Sequence, residues 1–290
     1  MKLYEKKSIK DIISVDGMRI RVYESFVADA ERVVVFCNAN CATPTFVSKL
    51  ALYLNERKIS VMTFDTRGTN PDELFNIDTV KPSHIARDII SILDNYGIKK
   101  ATLVGYCSGA ENALMVCRDY ADYIEQAILV NGAFSLANGP KTNDASVLEE
   151  MTRAITESPE SAELYFQFFD SGGKDTLANQ LTDSGSDYEQ AFKPTDLLCY
   201  CISPEMLYRY CVTFTSFVDN DVLRWAPLIK SKTVFIASKL DQMAHPEQSK
   251  IVASSIADSQ YILRETGDHY SLLNSNELYE MIYSQLKHVA

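Results

Sequence analysis

Along this chain, short continuous apolar runs alternate with apolar positions at helical spacing, which predicts strand and helix in turn. Residues 8–25 (SIKDIISVDGMRIRVYES) read as a hairpin turning at Asp16-Gly17. VVVFCNANC (33–41) is a buried strand running into a loop. Thr43-Pro44 then supplies an N-cap and a first-turn proline for a helix to about Asn55. ISVMTFD (59–65) is the next strand, ended by Thr66-Arg67-Gly68-Thr69-Asn70. SHIARDIISILDNY (83–96) has helical spacing and stops at Gly97. ATLVG (101–105), AILVNGAF (127–134) and TVFIAS (233–238) are further strands, followed by a short strand at 260–264 and a helix at about 276–287. Strands alternating with helices predict an α/β fold whose mostly parallel sheet is covered on both faces.

The roughly 90 residues between AILVNGAF and TVFIAS break this alternation. Their helix-like, aromatic-rich segments AELYFQFF (162–169) and MLYRYCVTFTSF (206–217) are explained most simply as the core of a small helical subdomain. The expected division is an α/β core at 1–138 and 226–290 with a helical cap at 139–225. The chain carries 39 acidic and 28 basic residues, a net charge of −11, which argues against nucleic acid or an anionic membrane surface as a partner. Residues 139–225 hold 15 Asp/Glu and 6 Lys/Arg, so most of that charge lies in the cap. A solvated acidic surface is the simpler account. The sharper one is a pocket mouth favouring a cation, such as the ammonium of an aminoacyl substrate.

No apolar stretch of these 290 residues approaches the roughly 20 needed to span a membrane. MKLYEKKSIKDI lacks the apolar region of a signal peptide, so a cytoplasmic protein is expected. Seven cysteines (37, 41, 107, 117, 199, 201, 211) form no zinc spacing and read as free thiols in a reducing compartment. Cys37 and Cys41 read as packing residues.

One of these cysteines stands apart. Gly105-Tyr106-Cys107-Ser108-Gly109 joins an apolar run to a small-residue helix, the strand–elbow–helix frame of a G-x-nucleophile-x-G motif. A Cβ at either glycine would collide with the neighbouring strand or helix. The turn also sets the sulfur at a helix N-terminus, whose dipole favours an anion. The bland alternative is a buried core thiol.

This elbow, an acid after a late strand in FIASKLDQMAHP (235–246), and a histidine loop in ETGDHYSLL (265–273) follow one another in the order of the α/β-hydrolase superfamily, which the chain resembles over nearly its whole length. The resemblance implies Cys107 as nucleophile, His269 as base and Asp241 as the carboxylate that orients the imidazole. It implies an oxyanion hole from the Ser108 N–H and from Asn40, by backbone or side chain, in a loop where Asn38-Ala39-Asn40 replaces the usual His-Gly. Asp268, Glu265 and Asp65 are expected to be structural, and Arg67-Gly68 to form a structural turn. His245 follows Asp241 by four residues without a third ligand nearby, so no metal site is expected. His84 and His288 are expected to face solvent. Where some relatives carry the acid after the sixth strand, this chain reads Val130-Asn131-Gly132.

A cysteine nucleophile resembles that of cysteine-dependent acyl or aminoacyl shuttle enzymes of nonribosomal peptide assembly; dienelactone hydrolases share the elbow but lack a cap. The implied reaction is acyl transfer through a cysteinyl thioester, from a carrier-protein or coenzyme A thioester to a second acceptor. No cofactor would be bound; a phosphopantetheine arm would arrive with the substrate, and a carrier protein would be a partner. The alternative is a thioesterase or carboxylic ester hydrolase with the same Cys-His-Asp set. A binding protein using the cap pocket as a receptor is a third reading.

Overall fold

A computed structural model describes residues 8–168 and 194–287. Phe169, at the end of the AELYFQFF segment, and His288 lie outside the described residues. Eight described strands form one sheet: β1 (Ile9–Ile13), β2 (Arg19–Ser25), β3 (Arg32–Cys37), β4 (Ile59–Phe64), β5 (Ala101–Tyr106), β6 (Ile124–Val130), β7 (Lys232–Ser238) and β8 (Ser259–Arg264). Their order is β1-β2-β4-β3-β5-β6-β7-β8. The hairpin is antiparallel and joins β4 antiparallel; every other neighbour pair is parallel. This is the mostly parallel α/β sheet the alternation predicts, in the α/β-hydrolase arrangement the resemblance implies.

Helices α1 (Ser48–Asn55), α2 (Pro82–Asn95) and α3 (Ser108–Asp119) connect the first parallel strands; α8 (Pro246–Ser254) and α9 (Asn276–Lys287) close the chain. Strands β4 and β5 are buried along their whole length because helices cover both faces. Helix α2 buries Ile85, Ile89, Ile92 and Leu93, the stripe its spacing predicts. It ends at Gly97, whose φ of 66° lets Ile98 N–H reach the Leu93 carbonyl at 2.9 Å.

Two predicted strands are shorter than their apolar runs. The run at 33–41 leaves the sheet after Cys37, and that at 127–134 leaves it at Asn131, where φ turns to 45°. Both exits lie at the carboxyl edge of the sheet, where the candidate site forms. Arg67 is buried and structural, as expected: it forks onto Asp88 of α2 and Asp16 of the hairpin turn at 2.6–3.0 Å.

Between β6 and β7 the chain forms α4 (Asn143–Glu157), α5 (Ser161–Phe168), the short α6 (Pro194–Leu197) and α7 (Pro204–Val218). Helix α4 packs on α7, and Ile155, Ala162, Leu207 and Cys211 form a buried cluster with Cys41. The insertion is pinned at both stems by one carboxyl group. Glu111, on α3, accepts from the Ser135 N–H at 2.7 Å and from the Asn220 side-chain amide. Ser135 also donates its hydroxyl to the Val218 carbonyl, and its own carbonyl accepts from Val222 N–H at 2.8 Å.

Glu111 is fully buried. Burial pushes its pKa up from 4.5 to about 8, against the opposing pull of those two hydrogen bonds. The folded protein therefore holds a proton here that the unfolded chain releases near pH 4.5. The contribution is complete below that pH and is lost as pH rises through about 8. Chemical denaturation across pH 5–8 should show stability falling by up to about 1.4 kcal/mol per pH unit from this group. The variant E111Q should flatten that slope.

Candidate active site

The elbow is held by backbone contacts on every side. Cys107 has φ 52° and ψ −127°, a conformation that costs a non-glycine residue about 1–3 kcal/mol. Its N–H donates to the Val130 carbonyl at 3.2 Å, and its carbonyl accepts from Ala110 and Ala133 at 3.0 and 3.1 Å. A Cβ on Gly109 would lie 2.1 Å from the Cys37 carbonyl oxygen, and one on Gly105 would lie 2.7 Å from the Ala110 Cα. Both glycines are required because α3 is pressed onto the ends of β3 and β5.

Cys107 is the one cysteine that is partly exposed; the other six are buried. Cys37 and Cys41 are packing residues, and Cys41 also takes a positive φ of 61° in the loop after β3. The Cys107 side chain faces the same cavity as His269, close enough for its sulfur to act on the imidazole. The His269 Nδ1 meets Asp241 Oδ2 at 2.8 Å. The second oxygen of Asp241 accepts from Met243 N–H at 2.8 Å and Ala244 N–H at 2.7 Å. Burial would lower the pKa of His269. The Asp241 carboxylate and the neighbouring sulfur outweigh it and hold the imidazole well above its ordinary value.

The structure thus brings Cys107, His269 and Asp241 together, with Ser108 and Asn40 beside the sulfur in one cavity. Ser108 opens α3, so its N–H is one of the helix-terminal donors with no partner inside the helix. The Asn40 N–H donates to the Ser108 hydroxyl oxygen at 2.9 Å. Asp268 is structural, capping the 3₁₀ turn at His269–Leu273 with Ser271. Glu265 pairs with Lys239 on the surface. Asp65 is partly buried, where it accepts from the Tyr23 hydroxyl at 3.0 Å. His245 caps α8, and no group of three or more His, Cys, Asp or Glu side chains among the described residues could hold a metal. His84 was expected to face solvent but is half-buried, with an unpartnered Nδ1.

Several residues escaped the sequence reading. Asn131 stands where some relatives carry the acid, and here it is a bracket. Its side-chain amide donates to the Asp268 and His269 carbonyls at 2.9 and 3.2 Å, while its Oδ1 accepts from Ser238 N–H at 3.0 Å. The Tyr106 hydroxyl donates to the same His269 carbonyl at 2.9 Å. Asn38 steadies the loop after β3 by donating to the Ala42 and Thr43 carbonyls at 3.3 and 2.9 Å. An asparagine ending an apolar run is the one available signal, since Asn tolerates positive φ.

The cavity has a volume of about 130 Å³. Aromatic side chains dominate it, among them Phe46, Tyr106, Phe134, Tyr200, Tyr210 and Phe214. The insertion contributes Leu148, Tyr210 and Phe217. Its one acidic lining residue among those described, Glu149, is salt-bridged to Lys141 and Arg153. The cation-favouring mouth expected from the insertion's charge finds no uncompensated carboxylate among these lining residues.

Residues 32–275 match the family model described as the alpha/beta hydrolase fold. A Caulobacter vibrioides protein named "Putative carbamate hydrolase RutD" is 27% identical over 119 residues, 41% of this chain and 44% of that protein. The match therefore spans less than half of that relative's length. Among solved structures, the esterase RhEst1 from Rhodococcus sp. ECU1013 superposes with a TM-score of 0.75 at 16% identity, covering 98% of this chain and all of that one. The enol-lactonase from Burkholderia xenovorans LB400 gives 0.70 at 15% identity over 96% and 100%. These structural likenesses speak to the fold.

Two outcomes check the geometry. The variant G109A should displace the loop carrying Asn40; its melting temperature should fall and iodoacetamide should alkylate Cys107 at a changed rate. The variant D241N removes the charge that keeps His269 basic and presents an amide to its Nδ1. Alkylation of Cys107 at pH 6 should drop about tenfold or more relative to wild type, with the two proteins converging near pH 9.

Proposed function

Because the chain belongs to the α/β-hydrolase family, we propose that it is a hydrolase of small carboxylic esters or thioesters working through an acyl-cysteine. The observation that carries this reading is that Cys107 and His269 face one cavity while Asp241, behind them, meets His269 Nδ1 at 2.8 Å. His269 accepts the thiol proton as sulfur attacks the acyl carbonyl, forming a tetrahedral oxyanion. Collapse breaks the bond to the leaving alcohol or thiol, which takes the proton from His269. Water then adds to the acyl-cysteine with the same histidine as base, and the second collapse releases the acid and restores the thiol. Asp241 holds the ring and its charge through both halves.

Names borne by similar proteins, an esterase and an enol-lactonase of like fold and a carbamate hydrolase by partial sequence match, favour hydrolysis over the acyl shuttle expected from the sequence. The helices between β6 and β7 act as the cap and limit water entry. The cavity of about 130 Å³ is close to the roughly 150 Å³ apolar cavity that accommodates benzene, so the acyl group is short or a single ring. One observation keeps transfer as a second reading: the nucleophile is a thiol, and its thioester exchanges with an external thiol with little change in free energy. A phosphopantetheine-linked acyl group, alone or on a carrier protein, would then be donor or acceptor.

The test is product analysis with nitrophenyl esters and pantetheine thioesters of increasing acyl length, with and without added thiol. The expected result is free acid whether or not thiol is present, an acyl adduct on Cys107 under rapid quench, and rates falling once the acyl chain exceeds about six carbons. The variant C107A should lose turnover. A new thioester formed in proportion to added thiol would make the protein a transferase.

A further inference from the structure

The oxyanion hole has an unusual second member. In the arrangement the resemblance implies, the Ser108 N–H and Asn40, by its backbone or its side chain, would both point at the developing oxyanion. The Asn40 N–H is already engaged, donating to Ser108 Oγ at 2.9 Å. Ser108 is 4% exposed and Asn40 5%, and both line the cavity with Cys107. A hydroxyl that accepts one N–H keeps its own proton. No described residue accepts it, since the only hydrogen bond of Ser108 Oγ is the one it receives from Asn40. The buried Asn40 Oδ1 also has no partner among the described residues. An unplaced hydroxyl proton and an orphan amide oxygen thus belong to two residues that line the cavity with Cys107, where buried polar groups ordinarily pair.

We propose that the Ser108 hydroxyl is itself an oxyanion donor, so that Ser108 contributes both its N–H and its O–H, while Asn40 acts through it as a positioning residue. The Asn40 N–H fixes the lone pairs of Oγ and so aims the hydroxyl proton away from the loop; an N–H feeding an O–H also polarises it. The arrangement replaces a second backbone donor with a side-chain one, and the donor depends on a hydroxyl at position 108. This rests on the acyl-cysteine reading only in needing a tetrahedral adduct on Cys107. The orphan Oδ1 of Asn40 remains open to an N–H or O–H of the bound acyl group.

The experiment compares wild type, S108A and S108T in binding a short alkyl trifluoromethyl ketone. That ketone adds the Cys107 sulfur to its carbonyl and mimics the oxyanion; binding is read as protection of Cys107 from iodoacetamide. Ester turnover is measured in parallel. The expected result is affinity lowered about 10- to 100-fold in S108A, with kcat falling by a similar factor, KM within about twofold and S108T within about threefold of wild type. Equal or tighter ketone binding by S108A would overturn the proposal, because the hydroxyl would then be occupying the hole and its removal would free the Asn40 N–H. Melting temperatures and unchanged alkylation of Cys107 without ketone identify folded variants. Were S108A to misfold, loss of ketone affinity in S108C, which keeps the volume but replaces the hydroxyl, would decide the question. Wild type that binds the ketone yet turns over no ester would overturn the hydrolase reading and leave this comparison intact. A wild type that forms no ketone adduct would overturn both.

Discussion

The close approach of α3 to the end of β3 governs the geometry of this site. A side chain at Gly109 would meet the Cys37 carbonyl oxygen at 2.1 Å, so the helix can sit where it does only because nothing projects there. That approach places the start of α3 beside the loop after β3, which is why Asn40 can reach Ser108. It also forces the turn at Cys107 into positive φ, a strain held in place by hydrogen bonds to Val130, Ala110 and Ala133. The placement of the Cys107 sulfur, the helix-terminal N–H groups and the loop thus follows from one packing contact.

The remaining parts converge because strands end together. The sheet delivers β5, β6, β7 and β8 to one edge, and Asn131 ties three of their exits by joining the end of β6, the end of β7 and the loop after β8. His269 then needs only Asp241 to fix its ring. Asp241 is itself buried with both oxygens hydrogen-bonded, one to the His269 ring and the other to the Met243 and Ala244 N–H groups. The cavity in front of them is small, and its Glu149 and Lys141, oppositely charged, are paired with each other.

Local pattern made much of this legible. Continuous apolar runs mark the buried strands, and the glycine frame around Cys107 marks a turn at which a Cβ on either glycine would clash. Asp241 and His269 are singled out by their order along the chain, a feature of the family and not of spacing alone. What escaped were contacts between residues far apart in sequence. Neither the bond from Asn131 to the histidine loop nor the one from Asn40 to Ser108 leaves any periodic trace. Charge is silent on one point: an excess of acidic residues in the insertion does not say which of them face the cavity, and among the described residues Glu149, which does, is paired.

The loop after β3 is also joined to the insertion by main-chain bonds: Thr43 N–H donates to the Leu197 carbonyl and Cys199 N–H to the Cys41 carbonyl, around a bridge between Ala42 and Leu198. Roof and floor of the cavity are therefore one woven piece. Any lifting of that part of the insertion must strain the very loop that holds Asn40 against Ser108. On the hydrolase reading proposed above, admission and readiness for chemistry are then mechanically opposed, and a substrate would have to be enclosed before its carbonyl meets both donors.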